Sequence, residues 1–417
     1  MSRIVVTGGL PLCGELNAPG AKNAALPLLA ACLLAHHPVR LLGCPKLTDV
    51  ANMVELLRTL GCSVNWDGDV LNIDSRSAQC HEMPEHLSKA LRSSIFLLGP
   101  MIGKFKRAVA NFPGGCDIGV RPIDLHIAAL NALGVSIEES HGSIICEGSN
   151  LKGAAIHLDY PSVGATENAI MAAVAAKGET TIQNAAREPE VVHLQEFLCK
   201  LGYTVNGAGS STIYIKGGCT PKTAEHRIMA DRIVAGTYLC AAAITAGDIT
   251  MRGIVPEQLG SIVGKLKECG CEVITESELI RVKGPKRPRE LKRVETMPYP
   301  GFPTDMQAQI FALCTIADGT SMIVENVFEN RFRHASELAR MGAESCINGR
   351  IAVIRGVKTL TGTRVDAKDL RGGAALVLAG LRAEGETEVC GAEHISRGYE
   401  AIETALSSLG AKIRREP

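Results

Sequence analysis

The sequence predicts an α/β protein of two domains, each assembled from three related units. Three observations carry this. A helix-like segment that ends in glycine and runs into an alternating strand pattern recurs six times: RTLGCSV, NALGVSI, CKLGYTV, KECGCEV, ARMGAES and SSLGAKI. Its glycines, Gly61, Gly134, Gly202, Gly270, Gly342 and Gly410, return about every 70 residues. In the same register an Ala/Leu-rich helix turns into a short strand, as in AAVAAKGETTIQNAA, AAAITAGDITMRGI, CTIADGTSMIVENV and LAGLRAEGETEVCGA. Finally, helices such as NAIMAAVAA are apolar nearly all round, which places them inside a layer of sheets and not on a surface.

Each unit reads, in order, as helix, glycine turn, strand, loop, helix, Leu-Gly, strand, turn, strand. A glycine just past a helix end supplies the left-handed residue that stops the helix without a Cβ clash. No single unit can bury an apolar helix alone, so the units must pack together. With 417 residues the chain can fill two large cores, and an aromatic content of 4% makes those cores aliphatic. Six units divide into two sets of three, and a cleft between two similar domains is where a ligand is expected.

Composition excludes several classes. Lys+Arg and Asp+Glu balance at 44 each, which argues against a nucleic-acid binder with its basic surface. The 15 cysteines include no C-x-x-C, so neither a disulfide framework nor a zinc site is expected. Most, such as Cys32 in LLAACLLA and Cys240 in TYLCAAAI, read as small core residues. The longest apolar run, 24–35, contains Pro27 and is too short to span a membrane, and MSRIVVTGGL lacks the apolar core of a signal peptide. A reduced, cytoplasmic protein is expected. No P-loop and no G-x-G-x-x-G after a strand appears, so neither ATP nor NAD is indicated.

The chemistry-bearing residues fall at two recurring places. One is the loop between strand and helix: CPKLTD, FPGGCDIGVRPID, NAAREPE, GIVPEQ, VFENRFRH and AEHISRGYE. The other is the start of each apolar helix, where Lys22, Arg92, Arg232 and Arg371 stand. Helix N-termini favour acids over bases, so these cations are expected to be offset by an external anion. Lys22, Arg92, Arg121, Arg331, Arg371 and Arg397 together match a substrate rich in phosphate or carboxylate. Cys116, on a glycine-rich turn, and Asp305 are the reactive side chains expected near them.

The motifs PGGCDIG, RPIDLH, NAAREPE, FPTDMQAQ, FENRF, DLR and RGYE, in this order along the whole chain, resemble the enolpyruvyl transferases, and within them the branch that acts on a nucleotide sugar. The resemblance implies an enolpyruvyl transferase-like fold: a two-domain inside-out α/β barrel with six βαβαββ repeats, three per domain. It implies domains at 22–229 and at 230–417, the latter completed by residues 1–21. The implied reaction adds the sugar 3′-hydroxyl of UDP-N-acetylglucosamine to C2 of phosphoenolpyruvate and releases phosphate, the first committed step of peptidoglycan synthesis. No cofactor and no metal take part. Small molecules are the implied partners, with no nucleic acid and no membrane, and a monomer is favoured.

By the same resemblance, Lys22 and Asn23 hold phosphoenolpyruvate, Arg121 and Arg397 grip its phosphate, and Arg331 and Arg371 lie near its carboxylate and reacting carbon. Arg92, Arg121, Pro122, Ile123, Asp124, Leu125, Ser162, Val163, Gly164, Asp305 and Val327 match contacts to the nucleotide sugar. The hydroxyl is a poor nucleophile, so Asp305 is the candidate general base. Lys22 and Arg397 complete the catalytic set by stabilising charge on the departing phosphate. Cys116 is implied as proton donor or in product release, with a covalent phospholactoyl adduct and susceptibility to fosfomycin; Gly114 and Gly115 would let its loop act as a lid. Asp305 could instead be a helix cap. Glu188 and Glu190 could hold neighbouring arginines or take part in catalysis, and His126 and His394 are expected in core or capping roles. Gly372 and Gly373, where small residues with a Cβ are usual, predict a looser helix start. Tyr160-Pro161 stands where some members carry a lysine. The alternatives are a shikimate-3-phosphate enolpyruvyl transferase and a catalytically silent nucleotide-sugar-binding regulator.

Overall fold

The computed structural model describes residues 2–112 and 123–417. They fall into two compact units, one comprising 20–112 with 123–229 and the other 2–19 with 230–417. Each unit has its own apolar core. The six glycines that mark the repeat all take left-handed conformations: φ is 99° at Gly61, 87° at Gly134, 103° at Gly202, 95° at Gly270, 93° at Gly342 and 97° at Gly410. The sequence period is therefore a repeat in backbone conformation.

The first repeat shows how one unit is built. Helix Lys22–Ala31 leads to strand Val39–Leu42, then helix Thr48–Thr59, the turn at Gly61, and the antiparallel pair Ser63–Asp67 and Val70–Asp74. Val70–Asp74 lies antiparallel to Val39–Leu42, whose other edge is taken, in parallel, by Ala224–Arg227. The last strand of the unit thus closes onto its first sheet. In the other unit the start of the chain does the closing. Cys13–Asn17 runs parallel to Asp248–Arg252, and Arg3–Thr7 lies antiparallel between Glu386–Cys390 and Lys412–Glu416.

The apolar helices are buried on every side. All residues of Arg232–Thr245 and Gln307–Cys314 are buried, as are Ala165–Ala173 and Ala24–Ala31, where Pro27 sits inside the helix. In the unit containing residues 230–417, helix Leu370–Arg382 packs on both Arg232–Thr245 and Gln307–Cys314. No helix among the described residues is long and apolar enough to cross a membrane.

One expectation needs correction. The start of helix Leu370–Arg382 is not loose. A Cβ on Gly373 would come within 2.7 Å of Ile395 and 2.9 Å of the Ala367 Cβ, and one on Gly372 within 2.7 Å of the Asp369 carboxylate. These glycines give up side chains so that neighbours can approach the helix closely. Most of the described cysteines are buried, Cys32 and Cys240 among them, as expected; Cys13, Cys80, Cys199 and Cys346 are exposed. Cys13 and Cys346 occupy largely exposed strands outside the apolar runs. All described cysteines are free thiols.

Candidate functional site

Among the expected site residues, Cys116, Arg121 and Pro122 lie outside the described residues. The rest form distinct clusters within the two units.

In the unit of residues 230–417, Asp305 lies in a short 3-10 turn, Thr304–Met306, that leads into helix Gln307–Cys314. The N-cap of that turn is Pro303, so Asp305 is not its capping residue. Its carboxylate instead bridges two arginines. Oδ1 accepts from Arg331 Nη2 at 2.8 Å, and Oδ2 accepts from Arg371 Nη2 at 3.0 Å and Nε at 3.3 Å. The two guanidiniums are almost wholly buried while the Asp305 side chain is 27% exposed. Charge-assisted hydrogen bonds of this kind fix the carboxylate in place, with part of its side chain left accessible.

Arg371 is held from its other side as well. Its guanidinium lies 5.4 Å from the Tyr399 ring centroid. The Tyr399 hydroxyl pairs with Thr237 Oγ1 at 2.8 Å and accepts from Gln309 Nε2 at 3.2 Å, so three buried elements fix the ring. Burial works against the Arg371 charge, but Tyr399, Asp305 and Asp231 outweigh it and hold the group above its ordinary pKa. Arg371 Nη1 is buried without a hydrogen-bond partner among the described residues, a donor left for a carboxylate or phosphate. Arg331 stacks over Phe328 at 5.3 Å.

Glu325 organises this region, and the sequence reading missed it. Its fully buried carboxylate accepts from Val327 N at 2.9 Å, Phe328 N at 3.1 Å and Thr296 Oγ1 at 2.8 Å through Oε1, and from Thr304 Oγ1 at 2.9 Å through Oε2. One side chain therefore ties the Val327 loop to the residue preceding Asp305. Arg397, half-buried, lies two residues before Tyr399, just past the short helix Ala392–Ile395.

In the unit of residues 20–229, the segments carrying Arg92, Ile123–Leu125 and Ser162–Gly164 converge around Asn168. Asn168 Oδ1 accepts from Gly99 N at 2.7 Å, and its Nδ2 donates to Ile95 O at 3.2 Å and meets His126 Nδ1 at 3.2 Å. A Cβ on Gly164 would come within 3.1 Å of Phe96 and 3.2 Å of His126, so glycine lets the helix start seat against both. Ser162 caps that helix, accepting from Ala165 N at 3.4 Å. Burial, with Arg92 adding to it, pushes the His126 pKa down to about 4, so His126 is neutral and structural, as expected. A lone asparagine in the apolar run TENAIMAA was the signal for Asn168.

Lys22, at the first position of its helix, pairs with Asp49 at 3.2 Å, and both side chains are largely buried. The expectation that helix-start cations need an external anion is thus corrected for several of them. Asp49 meets Lys22, Asp305 meets Arg331 and Arg371, and Asp231 and Asp369 cap the helices that begin beside Arg232 and Arg371. Charge along a single helix leaves out acids supplied by helix caps and by other segments, such as Asp49 of helix Thr48–Thr59.

Glu188 and Glu190 are buried close to Glu167. Burial, then Glu190 and Glu188, push the Glu167 carboxyl well above its ordinary pKa, and neither of its oxygens has a partner among the described residues. His394 is half-buried in the helix Ala392–Ile395. Tyr160 is exposed. Among the described residues, one group, His193, Glu196 and His226, could hold a metal ion.

Comparison with known proteins places this arrangement. The solved enolpyruvyl transferase NikO from Streptomyces tendae superposes over 100% of this chain and 99% of its own, with a TM-score of 0.89 at 24% identity. EPSP synthase from Acinetobacter baumannii superposes over the full length of both chains with a TM-score of 0.76 at 19% identity. These likenesses define the fold as that of the enolpyruvyl transferases. A profile of the family described as EPSP synthase (3-phosphoshikimate 1-carboxyvinyltransferase) matches residues 6–406, and the chain belongs to that family. Over 415 residues, covering 100% of both chains, it is 51% identical to UDP-N-acetylglucosamine 1-carboxyvinyltransferase 2 of Caldanaerobacter subterraneus subsp. tengcongensis. It is 48% identical over 419 residues, again covering 100% of both, to UDP-N-acetylglucosamine 1-carboxyvinyltransferase of Myxococcus xanthus.

Proposed function

We propose that the chain transfers the enolpyruvyl group of phosphoenolpyruvate to the 3′-hydroxyl of UDP-N-acetylglucosamine with release of phosphate, in the cytoplasm, as the first committed step of peptidoglycan synthesis. The observation that carries the mechanism is the Asp305 carboxylate held between Arg331 and Arg371. An ionised, partly exposed carboxylate is the form a general base needs, and the adjoining guanidiniums suit a doubly acidic co-substrate. The unpartnered Arg371 Nη1 supports the same reading.

In this reading Asp305 takes the proton of the sugar hydroxyl as oxygen attacks C2 of phosphoenolpyruvate. The methylene carbon gains a proton, and Cys116 acts as that acid or in product release. Loss of a proton from the new methyl group and of phosphate from C2 of the tetrahedral adduct then restores the double bond and gives the enol ether product. Lys22, Asn23, Arg121, Arg331, Arg371 and Arg397 bind phosphoenolpyruvate, and charge leaving with phosphate is stabilised by the basic groups among them. Arg92, Arg121 to Leu125, Ser162, Val163, Gly164, Asp305 and Val327 bind the nucleotide sugar. The Cys116 thiol is the site of alkylation by fosfomycin. The finer architecture we propose is the inside-out barrel of βαβαββ repeats, three in residues 22–229 and three in 230–417 completed by 1–21.

The relatives named for the UDP-sugar reaction are 51% and 48% identical to this chain, against 19% for the EPSP synthase of solved structure. The test supplies phosphoenolpyruvate with either UDP-N-acetylglucosamine or shikimate 3-phosphate and measures phosphate. Release with the nucleotide sugar alone is expected. Turnover with shikimate 3-phosphate alone, or nucleotide-sugar binding with no phosphate release, would overturn the proposal.

A further inference from the structure

The glycine turn of each repeat tends to send both of its flanking side chains inward. The residues on either side of Gly61, Gly134, Gly202, Gly270 and Gly342 are buried. Elsewhere such a pair is packing material, as with Leu133 and Val135. In the fourth repeat, between helix Gly260–Glu268 and strand Glu272–Glu276, both members are cysteine, and no other of the six turns has this. Cys269 is 0% exposed and Cys271 is 7% exposed. Their Sγ atoms are 3.8 Å apart, in van der Waals contact.

Sequence spacing alone does not bring two sulfurs together. Cα atoms two residues apart can stand as far as about 7 Å from each other, and a disulfide needs them at about 4.4–6.8 Å with the Cβ atoms facing. The left-handed Gly270, at φ 95°, supplies the bend. Three backbone bonds hold it: Cys269 N to Lys265 O, Gly270 N to Lys267 O and Cys271 N to Leu266 O, each at 3.0 Å. Cys269 Sγ donates to Leu266 O at 3.2 Å, which leaves its lone pairs to accept from the Cys271 thiol. That hydrogen bond outweighs burial and lowers the Cys269 thiol below its ordinary pKa. The cover over the turn is thin. The atoms nearest to a Cβ on Gly270 belong to the Arg289 and Pro285 side chains, the first at 3.7 Å.

We propose that Cys269 and Cys271 are a redox pair, separate from the transfer reaction, that closes reversibly into a disulfide when the protein meets a hydroperoxide. The Cys269 sulfur attacks one oxygen of hydrogen peroxide, the O–O bond breaks, and a sulfenic acid and one water form. The Cys271 sulfur then attacks the sulfenic sulfur. The S–S bond forms, and the hydroxyl leaves with the Cys271 proton as a second water. The two thiols give up two electrons and the peroxide takes them. Burial selects the oxidant: a bulky disulfide is shut out, whereas hydrogen peroxide is little larger than water and enters on local opening of the turn. Closure removes the thiol hydrogen bond to Leu266 and fastens the end of helix Gly260–Glu268 to the start of the next strand.

The test treats the folded, fully reduced chain with hydrogen peroxide, blocks remaining thiols and reads tryptic peptides by mass. Peptide 268–281 contains both cysteines and no other. It is expected unblocked and lighter by two hydrogens, and a thiol reductant should return it to the dithiol. Cys271→Ser lacks the second sulfur, so Cys269 in that variant should be trapped as its sulfenic acid by dimedone, while phosphate release by the reduced variant matches the parent. The parent peptide is a test whether or not the variant folds. A peptide that stays dithiol after the exposed Cys13 and Cys80 have gone on to sulfinic acids, one that carries a sulfinic acid in place of the disulfide, or one joined to a different cysteine would overturn the proposal. No trapping in a folded Cys271→Ser would overturn the role of Cys269 as the attacking sulfur.

Discussion

The two units use one repeat to different ends. Around Asn168 three segments meet through uncharged groups: an amide, a neutral His126 and a glycine seat the helix starts against each other. Around Asp305 the equivalent junction is charged, with two buried guanidiniums, a carboxylate and the ring of Tyr399. The same backbone plan therefore carries a neutral scaffold in one unit and a polarising centre in the other. The repeat sets where a helix begins and leaves open what stands there.

The charged centre should be the more fragile in catalysis. Asp305→Asn keeps the shape but removes the base, and kcat for phosphate release should fall by about 10²–10⁴. Retention of full kcat would show that Asp305 only spaces the two arginines. Glu325→Gln should come next. It weakens the ties to Val327, Phe328 and Thr304, and misplacement of the adjoining Asp305 should cost about 10–100-fold in kcat/KM.

The neutral centre should be fragile in stability instead. Asn168→Ala removes hydrogen bonds to Gly99 and Ile95 and the contact with His126, which should cost about 2–3 kcal/mol by urea unfolding. An unchanged midpoint would show that the amide is not the hub described above.

Each unit also contains a buried neutral histidine whose pKa is pushed down to about 4, His126 in one and His334 in the other. Such a group binds its proton more weakly when folded than when unfolded. Its contribution is complete above the unfolded value of about 6.5, and stability falls as the pH drops from there toward 4. The urea midpoint should therefore decline between about pH 7 and pH 5. Replacing either histidine with a neutral residue should flatten that decline, and equal slopes in parent and variants would contradict it. The smallest effect is expected at Gly373→Ala, where a methyl group must displace Ile395 or Ala367 and should cost about 1–3 kcal/mol.

Much of this organisation was legible in the sequence. The six glycines announced the repeat because a left-handed residue ending a helix is a local backbone demand that few other residues meet. Asp305, Arg331 and Arg371 stood out in the sequence through their motifs. Their mutual pairing was not, because three segments widely separated along the chain supply the partners. Asp49 and Glu325 were missed for a related reason: each is an unremarkable acid in sequence, and its value comes from what folding places beside it. The glycine pair at 372–373 misled because propensity describes an isolated helix, whereas Ile395 and Ala367 decide the packing here.

The most direct test of the division between the units is to compare Asn168→Ala and Arg371→Lys in steady-state phosphate release, varying each substrate in turn. The predicted result is that Asn168→Ala raises KM for UDP-N-acetylglucosamine while leaving that for phosphoenolpyruvate near the parent value, and that Arg371→Lys raises KM for phosphoenolpyruvate and lowers kcat. The reverse assignment, or equal effects of both changes on both substrates, would contradict it.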